Sequence, residues 1–324
     1  MDRKLGQCLL LAAVFACGNA LALVGRAQDT SAGSRKIETV GTIPSSGYTE
    51  GLCQTADGTV YVTGIDEQVF WKVRPNGQVE KFASTPAHIM VPLVTKDGFI
   101  ATARKKAAPR TPLAGGIGVE PGSAVHIDFS VDVGTEILVI DKTGKVTDTV
   151  PGPKGSYFNG IAYAGHGFYV IADSGSPIIW RLDLAKKQIE SWLKDDQLSS
   201  PVDARPNNIA GNGIKVHDGW VYVAVTSRNA IYRVQMDSKG RPRGPLTIFA
   251  QGFRPDDFDI AKDGTIYLPS GTSLFKISPT GEVSKFLDGA GLSAATRISL
   301  DGKWVYWPTR GGTEPQRLLR VAIP

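Results

Sequence analysis

Cysteine, histidine and helical periodicity are all scarce in this 324-residue sequence. Of its three cysteines, Cys8 and Cys17 fall near the N-terminus and only Cys53 lies beyond residue 27. A chain trimmed there has no partner for an intramolecular disulfide, which excludes a bridge-stapled fold. The four histidines, His88, His126, His166 and His217, have no metal-ligand spacing, so a histidine-based metal centre has no motif to rest on. A G-x-S-x-G nucleophile elbow is absent, and so is a glycine-rich phosphate loop followed by a helix. There is no Asn-x-Ser/Thr glycosylation site. The formal net charge of +5 is mild, and the basic clusters Lys105-Lys106 and Lys186-Lys187 are short. Such charges are solvated faces, not a stripe for nucleic acid.

The one long apolar run is at the start. MDRK supplies positive charge, an apolar stretch runs from Leu9 to about Val24, and small residues at Ala20 and Ala22, or at Gly25 and Ala27, offer cleavage sites. Residues 1–27 read as a secretory signal peptide, which implies export to the periplasm or the extracellular space. A lipoprotein site ending at Cys17 is disfavoured by the bulky Phe15. No later run approaches the roughly 20 apolar residues of a spanning helix, so the mature chain has no membrane span. An exported chain without bridges must be held by core burial, with a bound ion as a further source of stability. Cys53, on an expected inner strand, reads as a buried structural thiol.

What is abundant is the short β-strand. EGLCQT, the turn Ala56-Asp57-Gly58, TVYVTG, QVFWKV, the turn Pro75-Asn76-Gly77 and QVEKF make four strands in succession. The same succession recurs at 158–193, 207–249 and 253–287, with looser copies at 88–150 and from 292 to the end. Six four-stranded antiparallel units at this period, with no Pro-, Gly- or Ser-rich linker between them, predict an all-β six-bladed propeller over residues 36–324. The last unit lacks an outermost strand, and KIETVGTI at 36–43 can supply it and close the ring.

A polar residue heads four of the inner strands: Glu50 before Gly51-Leu52, Asn159 before Gly160-Ile161, Asn212 before Gly213-Ile214, and Asp256 before Asp257-Phe258. One position of every repeat faces the common axis, so these four side chains converge there. Two carboxylates and two amide carbonyls are hard oxygen donors, suited to Ca²⁺ or Mg²⁺ and able to take Mn²⁺ or Zn²⁺.

These blade phrases resemble the SMP-30/gluconolactonase/LRE-like family of six-bladed propellers, from about residue 48 to 310. The resemblance implies one divalent metal, calcium most often, held by Glu50, Asn159, Asn212 and Asp256. It also implies lactonase chemistry, with Asp256, the acid of the Pro-Asp phrase, as general base and Asp257 as the fallback. The sequence departs from the family at Met90 in blade two and at Thr296 or Arg297 in blade six, which alters the pocket wall.

The expected activity is metal-dependent hydrolysis of a small lactone or ester: the ion polarises the carbonyl while a carboxylate takes a proton from water. Tyr157, Arg205, Arg254 and Arg297, near the expected rim, are candidates to bind substrate. Residues 104–134 form an insertion between the second and third strands of blade two. It and the connector 194–208 are expected on the ligand-bearing face, where the insertion can act as a lid. Because fold does not fix function, two other readings stand beside this one: a strictosidine-synthase-like or pericyclase-like enzyme that needs no ion, and a non-enzymatic binding propeller.

Overall fold

The computed structural model describes residues 35–45, 47–108, 110–112, 125–201, 208–310 and 315–324. The expected signal peptide and Arg205 lie outside the described residues. Six four-stranded antiparallel sheets follow one another along the chain. Blade one is Thr49–Gln54, Val60–Gly64, Val69–Val73 and Val79–Ser84. The first strands of the other blades are His88–Thr95, Phe158–Gly165, Gly211–His217, Asp259–Ile260 and Arg297–Ile298. Each first strand packs on the next, and the last touches the first, so the six ring a common axis as a propeller. Among the described residues there is no α-helix, only the 3₁₀ turns Asp196–Leu198 and Thr226–Arg228. No helix there is long and apolar enough to cross a membrane.

Local chemistry explains the repeated hairpins. Gly58 and Gly77 adopt φ of 83° and 87°, which a side chain would resist. Asp57 Oδ1 accepts from the Thr59 N–H at 3.1 Å and fixes the turn before TVYVTG. The β-branched and aromatic residues that follow alternate between two blade interfaces. Tyr61, Phe70, Phe82 and Phe99 meet between blades one and two, with ring centroids 4.6 Å apart for Tyr61 and Phe99. Burial of each such ring is worth about 1.5–3 kcal/mol. Cys53 is buried in the same cluster, and burial pushes its thiol up to about 12, so it is inert at neutral pH.

Ring closure follows the sequence expectation. Glu38–Ile43 is the outermost strand of blade six and pairs antiparallel with Gln316–Ala322, which in turn pairs with Trp304–Pro308. Arg320 donates from Nε and Nη2 to Glu38 Oε2 at 3.0 and 2.8 Å across that pair.

Neighbouring blades are also tied by hydroxyls at the mouth of the ring. Thr63 Oγ1 donates to Met90 O at 2.8 Å, Thr102 Oγ1 to Asn159 O at 2.5 Å, Ser174 Oγ to Gly211 O at 2.9 Å and Thr226 Oγ1 to Pro255 O at 2.8 Å. Each hydroxyl stands in the last three residues of one blade's second strand or just beyond it, and holds the head of the next blade's first.

That spacing explains the glycine after three of the four polar heads. A Cβ on Gly51 would lie 2.7 Å from Pro92 Cδ, one on Gly160 2.6 Å from Asn212 O, and one on Gly213 2.7 Å from Asp257 Cα. None of the three has a positive φ; they are glycines because adjacent backbones come too close for a side chain. Gly213→Ala is therefore expected to push blade four away from the Asp256 loop, at a cost of about 1–3 kcal/mol. A thermal melt unchanged from the parent protein would contradict this account of the Asn-Gly phrase.

Candidate functional site

Glu50, Asn159 and Asp256 line one narrow cavity of about 30 Å³, room for one or two water-sized occupants. Asn212 joins them by donating from Nδ2 to Asp256 Oδ1 at 2.5 Å. The four heads of blades one, three, four and five are thus brought together. Glu50 and Asn159 sit in their first strands, whereas Asp256 precedes its strand, which begins only at Asp259.

The two asparagines are held in one orientation by hydroxyls. Asn159 Nδ2 donates to Ser174 Oγ at 3.3 Å, and Asn212 Nδ2 also donates to Thr226 Oγ1 at 2.9 Å. Their carbonyl oxygens, Asn159 Oδ1 and Asn212 Oδ1, are buried and have no hydrogen-bond partner among the described residues. Buried acceptors are rarely left so. Beside two carboxylates, they form a donor set that fits a hard divalent cation. No three His, Cys, Asp or Glu side chains cluster as a metal site among the described residues, so a cation here depends on those amide oxygens.

Three guanidiniums share the cavity wall: Arg104, Arg254 and Arg310. Arg310 Nη1 donates to Asp256 Oδ2 at 2.7 Å, and its guanidinium stacks 4.0 Å from the Tyr48 ring centroid. Burial pushes the Asp256 carboxyl up to about 7, against the Arg254 charge and the Asn212 hydrogen bond, with the Asp257 charge adding to the rise. The Arg310 contact restrains that rise further. Burial pushes Arg310 down to about 9, which leaves it a cation at neutral pH. Burial lowers Arg254 as well, while Asp256 supports its charge.

The other expected site residues are placed elsewhere. Asp257 is buried and paired with Lys215 Nζ, and burial raises its carboxyl against that pairing. Tyr157 does not reach the rim: it is fully buried, packs edge-on against Phe129 and donates its hydroxyl to Asp128 O at 3.0 Å and to Val131 O. Its hydroxyl holds the base of the insertion. Arg297 is absent from the cavity wall and pairs with Asp259 Oδ2 at 3.4 Å. Thr296 is buried and donates to Tyr267 O at 2.7 Å, while Met90 lines the cavity.

The insertion contributes directly. Between Gly98–Arg104 and Thr135–Asp141 its described part forms a two-stranded ribbon, Arg110–Pro112 with Val125–Ile127. Ile127 lines the cavity with Tyr48 and Ile209. Asn208, from the connector after blade three, clamps the ribbon: its Oδ1 accepts from Ile127 N at 3.0 Å and its Nδ2 donates to Ile127 O at 2.8 Å. Arg104, Arg310 and Asn208 were not singled out in the sequence. Arg104 ends one second strand and Arg310 follows another, the returning strands that also bring the insertion to this face.

No family model matches this sequence, and no curated protein matches it. Its fold is that of several solved structures. A gluconolactonase from Xanthomonas campestris superposes with a TM-score of 0.60 at 14% identity over 90% of each chain. Regucalcin, a calcium-binding protein from Agrobacterium tumefaciens, gives 0.59 at 13%, over 87% of this chain and 93% of that one. Virginiamycin B lyase from Staphylococcus aureus gives 0.59 at 14%, over 89% and 99%. At these identities the likeness establishes the six-bladed propeller and leaves the chemistry to the site.

Proposed function

We propose that this protein is a hydrolase of lactones or related small esters, with its centre at Glu50, Asn159, Asn212 and Asp256. The observation that carries the reading is the pair of unpartnered buried amide oxygens beside two carboxylates on the propeller axis. A gluconolactonase and a calcium-binding regucalcin on the same fold support it. The four residues would hold one divalent cation, Ca²⁺ first, with Mg²⁺, Mn²⁺ or Zn²⁺ as alternatives; when bound, it supplies polarisation of the substrate carbonyl.

The chain's own groups do the rest. Asp256, on the wall of the same cavity, takes the proton of the attacking water. Asn212 and Arg310 hold its two oxygens in place. Tyr48, Ile127 and Ile209 exclude bulk water from the cavity. With its signal peptide removed, the mature enzyme acts outside the cytoplasm.

Elemental analysis of the purified mature protein, followed by a lactone and ester panel with and without chelator, tests the proposal. One divalent ion per chain and turnover abolished by chelation are expected. Turnover indifferent to chelation would transfer the reading to an ion-independent enzyme of the strictosidine-synthase or pericyclase kind. A retained ion with no turnover over the whole panel would transfer it to a binding propeller.

A further inference from the structure

Arg310 belongs to two spaces at once. Beside the narrow cavity it lines a groove of about 620 Å³ together with Thr42, Leu292, Thr309, Gln316 and Arg317. The described lining of that groove holds two arginines and no carboxylate. The cavity beyond it holds three guanidiniums against the carboxylates of Glu50 and Asp256. Among the described residues the two linings together carry four guanidiniums, Arg104, Arg254, Arg310 and Arg317, against two carboxylates, and Arg310 belongs to both.

The guanidinium is also well placed to dock an anion. Its backbone N–H is fixed on Leu292 O at 2.9 Å and its plane is stacked on Tyr48. Nη1 is directed at Asp256 Oδ2. A guanidinium has five N–H donors in a fixed fork, and no other described acceptor takes the remaining ones of Arg310. A carboxylate or phosphate arriving from the groove meets that fork in the bidentate geometry arginine favours over lysine.

We propose that Arg310 is the docking point for an anionic group on the substrate, so that the protein selects lactones or esters bearing a carboxylate or phosphate over neutral ones. This specificity rests on the hydrolase reading, whereas the anion site itself does not. The groove has room for the body of a sugar-sized acid, and the anion docked at its inner end sets the distance from substrate to Asp256.

Two measurements on the mature protein test this separately. In calorimetric titration, inorganic phosphate and gluconate are expected to bind, and Arg310→Met to weaken both at least ten-fold, with Arg310→Lys recovering only part. In turnover, the 6-phosphate ester of glucono-1,5-lactone is expected to exceed the parent lactone at least ten-fold in kcat/KM, chiefly through KM. That preference should shrink as salt rises, since screening weakens the attraction of a charged substrate to a cationic groove from solution. The salt series needs no variant and stands even if Arg310→Met fails to fold. Equal kcat/KM for the two lactones at low salt would overturn the selectivity and leave the hydrolase reading intact. Anion binding that is absent, or unchanged in a folded Arg310→Met, would overturn the docking site. Anion binding lost in Arg310→Met, with neither lactone turned over by the parent protein, would uphold the site and sink the hydrolase.

Discussion

Asp256→Ala in the mature protein is expected to lower kcat for lactone hydrolysis by about 10²–10⁴-fold, the range typical for loss of a positioned general base. Three consequences coincide at this residue. The proton acceptor disappears, one of two carboxylate donors to a bound cation disappears, and the buried Arg310 guanidinium loses its counter-charge at 2.7 Å. The last of these also threatens the fold, because an uncompensated buried charge is costly. Asp256→Asn separates the effects, since the amide keeps an oxygen for Arg310 but accepts no proton. Circular dichroism should show a native fold for the asparagine variant while turnover stays at the alanine level. In the ion-free protein the carboxyl titrates near 7; a bound cation lowers that value. The rate of the parent enzyme should therefore rise with pH along an acid limb at or below 7, then level off. Wild-type turnover in Asp256→Asn would transfer the base to another group and end the assignment.

Deletion of the chain up to Ile43 is expected to unfold it or to lower its melting temperature by more than 10 °C. The lost strand supplies the outer edge of blade six, pairing with Gln316–Ala322 from Glu38↔Arg320 to Ile43↔Gln316. Ile43 is fully buried, and Val40 packs on the same cluster as Val62, Val73 and Tyr306. Losing one such aliphatic side chain alone costs about 2–5 kcal/mol. With the ladder hydrogen bonds added, the loss rivals the 5–15 kcal/mol net stability of a typical domain. The bared edge of Gln316–Ala322 would also invite pairing between chains. Because the closing strand runs antiparallel to the C-terminal one, transplanting Glu38–Ile43 behind a tight turn after Pro324 should restore the parent melting temperature. A truncated chain that melts within a few degrees of the full one would show that the ring does not need this clasp.

The architecture was legible because blades repeat: Ala56-Asp57-Gly58 and Pro75-Asn76-Gly77 mark the same hairpins the structure shows, and KIETVGTI stood out as an unpaired strand. The four polar heads were legible for the same reason, as one register read in four copies. What escaped were residues whose role arises between blades. Thr63, Thr102, Ser174 and Thr226 close the mouth of the ring with hydroxyls, yet the periodic signal at those places is simply a strand end. Arg104 and Arg310 lie some 200 residues apart in the chain and come together only when second strands return to the same face. Tyr157 and Arg297 show the opposite failure. Both were expected near the rim, but Arg297 is taken up by Asp259 and Tyr157 is buried beneath the insertion.

The clasp has a further meaning for the life of the molecule. Glu50 comes from the first blade made and Arg310 from the last, and they flank one cavity only after both ends of the polypeptide have met. A chain whose last blade has not yet joined the first therefore has no assembled cavity. The cavity is thus withheld from an unfinished chain without any inhibitor, simply because the circle is still open.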